Sequence, residues 1–295
     1  AEKISPINFY SATYRLFKLS ELENSREDYG QSVTYKGSIP NNGCVFLLDK
    51  EKRPEHTEVL LNRKVRAAIL LGFDRKNMIK YLRNGIGTPA LNGFIPFGLP
   101  SFDNEIKYEY NPDSAALLLR EAGFPNGENL PEIVLSTTSQ YITLCEYIAS
   151  QLSEIGIRIK LEVNPAATNR EMVALSRVAF FRKSWVADYP DAENYLSLFY
   201  SGNFSPEGPN YTHFKNKKYD DLYEQSMTET DVEKRIDLYR QMNDILIEEV
   251  PVVPLFYDQV IRFISNDVEG MESNALNLLD LRFVKKKNDR AIADN

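Results

Sequence analysis

One short segment of the 295-residue sequence combines side chains suited to binding a charged ligand. The segment FFRKSWVADYPD, residues 180–191, contains a cation at Arg182, an aromatic ring at Trp185 and an anion at Asp188. A carboxylate at a strand end can bind a ligand ammonium, an arginine can bind a carboxylate through paired hydrogen bonds, and an indole can supply a flat wall. The residue types alone favour a simpler arrangement, in which Arg182 and Asp188 form an internal ion pair beside a core tryptophan.

Sequence signatures of catalysis or metal binding are absent. The sequence has no G-x-S-x-G, H-E-x-x-H or Walker motif. Asp188 and Asp191 could form an acid–base pair, but their spacing across a Tyr-Pro turn is more typical of helix caps. The two histidines, His56 and His213, do not have the spacing of zinc ligands. We therefore expect a protein that is not an enzyme and needs no cofactor or metal ion.

The composition excludes several other classes of protein. Lysine and arginine number 35 against 42 aspartates and glutamates, and this net charge of −7 argues against broad nucleic-acid binding. No apolar run approaches the ~20 residues of a membrane span. The first ten residues lack a signal-peptide pattern, so either the protein is cytoplasmic or its signal segment has been removed.

The two cysteines do not indicate a redox compartment. Cys44 and Cys145 are expected to be free and structural, with a disulfide as the alternative.

The elements that would position the 180–191 segment form an α/β pattern. Helix starts are predicted at Asn62, at Asp74 and at Asn111-Pro112. Alternating apolar residues predict strands at 132–137 and 157–163, and the helix between them implies a parallel pair. Further expected elements are a loop at 85–103, a strand at 178–187, a short helix at 192–199, helices at 216–228 and 231–249, strands at 252–257, 260–264 and 281–284, and a solvated tail at 285–290.

Four stretches of the sequence carry a resemblance to a known family. They are the helix pair and Pro/Gly loop at 64–100, YEYNPDSAALLLREAGF at 108–124, SWVADYPDAENYLSLFYSG at 184–202, and the helical pair with its closing strand at 210–257. In order and spacing, the chain resembles the oligopeptide- and dipeptide-binding solute receptors of ABC importers. A tryptophan followed by Ala-Asp-Tyr is the most specific of the matching motifs.

The resemblance implies a two-lobed receptor that closes around its ligand. Residues 46–258 would form the C-terminal ligand-binding lobe, a type II periplasmic-binding-protein-like α/β lobe with a mixed sheet flanked by helices. Residues 1–45 and 259–295 would belong to a second, mostly missing lobe, because family members are much longer. The implied location is periplasmic or on the cell surface, lipid-anchored or secreted. The implied partners are a small peptide and membrane-embedded importer subunits, with no nucleic acid and a monomeric state.

The resemblance also assigns site residues. Asp188 would hold the amino terminus of a peptide, and Arg182 would meet the ligand or its carboxylate. Trp185 and Tyr189 of the same motif complete the implied site. The sequence departs from the family pattern directly after Arg182. Residue 183 is a lysine, whereas a small residue is common at this position in the family. Two alternatives stay open: a non-peptide ligand such as a metal chelate, haem or sugar, and a sensor or interaction module within a regulatory protein.

Overall fold

A computed structural model describes residues 57–259, 263–271 and 281–287. In chain order the helices are α1 (Thr57–Leu61), α2 (Arg63–Leu71), α3 (Arg75–Leu82), α4 (Pro112–Glu121), α5 (Ile142–Glu154), α6 (Ala166–Ala174), α7 (Glu193–Leu196), α8 (Lys217–Thr228) and α9 (Val232–Glu249). The strands are β1 (Thr88–Pro89), β2 (Ile133–Thr137), β3 (Ile159–Val163), β4 (Phe256–Tyr257), β5 (Val268–Glu269) and β6 (Lys285–Lys286). The predicted 1–45 segment lies outside the described residues.

Side-chain caps fix where the predicted helices begin. The side chains of Asn62, Asp74 and Asn111 each accept a hydrogen bond from a backbone N–H in the first turn of α2, α3 and α4. Pro112 occupies the first position of α4, where its missing N–H costs nothing. These three predicted helix starts are confirmed.

A parallel strand pair organises the α/β half of the lobe. β2 and β3 align from Ile133 opposite Ile159 to Thr137 opposite Val163, and α5 crosses between them, as predicted. Helices α2 to α5 pack with this pair around one apolar core. Its fully buried members include Val65, Ala68, Ile69, Phe73, Met78, Ala115, Leu119, Ile133, Leu152 and Ile157. Truncating one such leucine to alanine typically costs about 2–5 kcal/mol.

A second apolar core organises the helical half. Asn216 and Asp231 cap the starts of α8 and α9, and Val250, the residue that follows α9, has a left-handed φ of 49°. Phe199 lies edge-on to its neighbours Phe94 and Phe214. The core also contains Ile95, Leu196, Tyr219, Tyr239, Met242, Ile245 and Leu246.

The predicted strand at 178–187 is wrong except at its centre. Phe181 forms a single parallel bridge with Ser136, and the Arg182 N–H donates to the Ser136 carbonyl at 2.9 Å. β2 ends at Thr137, where the chain turns into α5, so the following residues have no strand beside them. The segment therefore leaves the sheet directly after Arg182.

Other strand predictions also need correction. The 252–257 strand is reduced to β4, which pairs antiparallel with β1, because prolines at 251 and 254 cannot donate to a ladder. Residues 263 and 264 are not in a strand, and 260–262 lie outside the described residues. The strand expected at 281–284 instead forms at β6, which pairs with β5. Helix α6 was not predicted.

The expected α/β class is confirmed, with helices flanking small sheets. In the described ranges the parallel pair and the two antiparallel pairs are separate two-stranded sheets. Over the same ranges, no helix has the length and apolarity that a bilayer crossing requires.

Candidate ligand-binding groove

A large open groove, about 1980 Å³ in volume, runs along the 175–187 segment. Its other walls come from the loops 94–99 and 205–215 and from the closing segment 249–258. Side chains from both apolar cores reach its walls, among them Phe73 and Ile148 from the α/β half and Phe94 from the helical half. The groove is thus mostly apolar, with charged side chains at particular places.

Arg182 is fixed against the α/β half. Its backbone makes the last bond to β2, and its guanidinium carbon lies 3.1 Å from the centroid of the Tyr141 ring. Its Nε is buried and has no hydrogen-bond partner in the described part of the chain. The pKa of Arg182 is lowered from its usual value by burial, and the neighbouring Tyr141 offsets part of this shift. Arg182 therefore presents an incompletely paired cation to the groove.

Lys183 adds a second cation that the sequence reasoning did not assign to the site. Its Nζ lies 3.3 Å from the centroid of the Tyr211 ring, and both residues line the groove. Burial, followed by repulsion from Arg170, lowers the pKa of Lys183 to about 8. Lys183 is exposed as a residue, and its ammonium lies against the Tyr211 ring. Its position next to Arg182 was the available sequence signal.

Trp185 and the backbone of Asp188 share one anchor in the helical half. The indole N–H donates to the Asn194 side-chain oxygen at 2.8 Å, and the Asp188 N–H reaches the same oxygen at 3.4 Å. Asn194 belongs to α7 and is only 5% exposed. Trp185 packs against the helical core and also lines the groove. Asn194 is a positioning residue that the sequence reasoning missed.

Asp188 is exposed at the edge of the groove. Its neighbours Ala187 and Pro190 line the groove, although Asp188 itself does not. Among the described residues, its carboxylate has no hydrogen bond or ion pair, and the alternative Arg182–Asp188 ion pair is not formed. The carboxylate is therefore available to a ligand at the edge of the groove.

Tyr189 and Asp191 stabilise the turn that follows. The Tyr189 hydroxyl donates to the Glu193 carboxylate, which also accepts from Tyr223. Asp191 accepts from the N–H of Glu193, the first residue of α7, at 2.9 Å, which bears out its predicted capping role in part, because the N-cap position itself is Ala192. Asp188 makes no such cap in the described structure. Tyr189 is 45% exposed and does not line the groove, and its ligand contact stays a prediction.

Asn243 of α9 holds the 94–99 wall. Its side-chain oxygen accepts from the Phe94 N–H at 2.8 Å, and its amide donates to the Asn92 carbonyl at 3.2 Å. Gly93 has a φ of 120°, and a Cβ there would lie 2.4 Å from the Asn243 amide. Only glycine fits this approach, which sets the path of the loop into the groove.

The remaining candidate groups are the cysteines and His56. Cys145 is free and buried, as predicted, and lies 3.4 Å from the Thr137 hydroxyl. Burial raises the pKa of this thiol. Cys44 and His56 lie outside the described residues. Across the ranges that the structure covers, no group of three or more histidine, cysteine, aspartate or glutamate residues could hold a metal ion.

A comparison of sequences identifies the family. Residues 13–207 match the bacterial extracellular solute-binding proteins, family 5, middle region. The chain belongs to this family. It is 27% identical over 240 residues to the dipeptide-binding protein DppE of Bacillus subtilis, covering 78% of this chain and 43% of that protein. It is 28% identical over 215 residues to the glutathione-binding protein GsiB of Shigella flexneri, covering 71% and 42%.

Solved structures of family 5 proteins share the fold. The PBP AgaA from A. tumefaciens, in complex with agropinic acid, matches with a TM-score of 0.62 and 27% identity, over 68% of this chain and 42% of that one. The periplasmic binding protein DppA from Helicobacter pylori, in complex with the peptide STSA, matches with a TM-score of 0.66 and 24% identity, over 80% and 45%. The type II binding-protein fold is confirmed, and the chain spans less than half the length of these proteins.

Proposed function

We propose that this chain is the ligand-binding part of an extracytoplasmic receptor that delivers small peptides to an ABC importer. The observation that carries the proposal is the unpartnered Asp188 carboxylate at the edge of a groove that also contains Arg182. Membership of family 5 and the dipeptide- and glutathione-binding relatives support it. The receptor works outside the cytoplasmic membrane and catalyses no reaction.

The groove offers complementary chemistry for both ends of a peptide. Asp188 takes the ammonium of the amino terminus, and Arg182 takes a carboxylate, each through a charge-assisted hydrogen bond. Trp185 supplies an apolar wall whose position Asn194 fixes. The mostly apolar lining accepts side chains, as in other ligand grooves that combine apolar walls with a few polar groups.

A ligand outside the peptide class is the second candidate. The neighbour AgaA was solved with agropinic acid, and its 27% identity to this chain is close to that of the peptide-binding relatives. An acid of that kind would use Arg182 but would have no amino terminus to place on Asp188.

The test uses the full-length gene product and isothermal titration with matched peptides. We expect a free tripeptide to bind, and its N-acetylated form to bind at least about tenfold more weakly, a loss of about 1.4 kcal/mol. Equal binding of both forms would contradict the role of Asp188. Binding of small organic acids without any peptide binding would favour the second candidate.

A further inference from the structure

Two adjacent cations in the groove are held by aromatic rings instead of carboxylates. The guanidinium of Arg182 lies over Tyr141, and the ammonium of Lys183 lies over Tyr211. Within the described ranges, neither cation forms an ion pair with an aspartate or glutamate. Tyr211 lies in the 205–215 loop, so the Lys183 contact joins two of the segments that line the groove.

The other arginines that line the groove are already used within the protein. Arg66 donates to four backbone carbonyls, those of residues 60, 61, 249 and 250. Arg177 lies 3.7 Å from Glu171. Asp258, a carboxylate that lines the groove, pairs with Arg83. Arg182 therefore differs from the other arginines of the groove in having no carboxylate or carbonyl partner among the described residues, and Lys183 differs from Lys215, which also lines the groove, in its contact with Tyr211.

Removing a cation from water costs free energy unless an anion compensates it, and this cost falls mainly on Arg182, which is half-buried, since Lys183 is exposed. Ring faces supply part of that compensation through cation–π attraction, but within the described residues the buried Nε of Arg182 still has no acceptor. Arg170 adds further positive charge near Lys183. Two anionic groups of one ligand, one at each cation, would compensate both charges.

We propose that Lys183, together with Tyr211, forms a specificity subsite for an acidic side chain of the bound ligand, separate from the carboxylate subsite at Arg182. The inference rests on the proposed function and adds the class of ligand: peptides that carry a second carboxylate. Lysine suits this role because its ammonium is a compact charge that one carboxylate oxygen can meet.

The test compares peptides that differ in charge but hardly in shape. Titration of the full-length protein uses Ala-Glu-Ala and Ala-Ala-Glu against their glutamine counterparts. We expect the better acidic peptide to bind at least about tenfold more tightly than its counterpart. In Lys183→Met this ratio should fall to near one. In Lys218→Met, which removes an exposed lysine on α8 outside the groove, the ratio should stay at the wild-type value.

The outcomes separate this inference from the proposed function. Peptide binding with no acidic preference, or with a preference that survives in Lys183→Met, overturns the acidic subsite and leaves peptide binding standing. Failure of all four peptides to bind overturns both. If Lys183→Met does not fold, judged by circular dichroism, Lys183→Gln and Tyr211→Leu provide the same comparison.

Discussion

The two charged ends of the 182–188 stretch are held in different ways. Arg182 is tied to the α/β half by a strand bond and an aromatic ring, and its side chain is half-buried. Among the described contacts, Asp188 is tied to the helical half only through its backbone N–H and Asn194, and its side chain is exposed. The comparison indicates that the cationic end of the site is preformed, whereas the position of the anionic end depends on α7.

Removal of the Asn194 anchor should have the largest effect. Asn194→Ala leaves the indole N–H of Trp185 and the Asp188 N–H without their shared acceptor, at an expected cost of about 1–3 kcal/mol of unfolding free energy. Peptide affinity should fall as well, because Trp185 and Asp188 lose their fixed positions. Urea unfolding and isothermal titration measure the two effects.

A buried asparagine in the α/β half provides the matched control. Asn169 is 6% exposed and accepts from the Ser136 hydroxyl at 2.8 Å. Asn169→Ala should lower stability by a similar amount without changing the affinity ratio between free and N-acetylated peptide. If Asn169→Ala also changed the ratio of the affinities for free and N-acetylated peptide, the position of the anionic end would not depend specifically on the helical half.

Replacement of Arg182 should show how much the preformed cationic end contributes to peptide affinity. Arg182→Met keeps the apolar stem but removes the guanidinium, so peptides with a free carboxylate should bind about tenfold more weakly, a loss of about 1.4 kcal/mol. C-terminally amidated peptides should lose much less. A similar loss for both kinds of peptide, measured by titration, would show that Arg182 acts through packing.

The acidic preference should depend on pH through Lys183. Burial, followed by repulsion from Arg170, lowers the pKa of this ammonium to about 8, and the Tyr211 ring lies against it. A bound carboxylate favours the charged form, so the preference should be complete below about pH 7 and decrease as the pH rises from about 8 to 10. The acidic and neutral peptides have the same titrating amino terminus, so the ratio of their affinities removes its contribution. A ratio that stays constant over this range would argue against Lys183.

The smallest effect is expected from Tyr189. Tyr189→Phe removes the hydroxyl that donates to Glu193, an exposed interaction worth about 0.5–1 kcal/mol. Thermal unfolding should register that change, while peptide affinity stays nearly constant if Tyr189 only supports the turn. A clear loss of affinity would instead support the ligand contact implied by the family resemblance.

Local signals in the sequence were sufficient for much of the fold. Asn111 followed by Pro112 marks a helix start by chemistry confined to neighbouring residues, and the alternation in 157–163 marks a strand for the same reason. The 178–187 strand failed because a strand needs a partner, and β2 ends at Thr137. Apolar content alone does not reveal where the neighbouring strand stops.

The site was only partly predictable for a similar reason. Arg182, Trp185 and Asp188 lie within one recognisable motif, so the sequence could name them. Asn194 and Tyr211 contribute through contacts that the fold creates, and their residue types have no special spacing. Arg182 and Asp188 do not form an ion pair because the α/β half holds one residue and the helical half holds the other. The sequence does not reveal this division.

The most direct test of the account combines a protein change with a ligand change at the anionic end. Asp188→Asn, measured with free and N-acetylated forms of one tripeptide, should weaken binding of the free form at least about tenfold and leave the acetylated form nearly unchanged. Asp113→Asn, an exposed position in the first turn of α4, serves as the matched control and should alter neither. Equal effects of Asp188→Asn on both peptide forms, or no effect on either, would contradict the assignment of Asp188 to the ligand amino terminus.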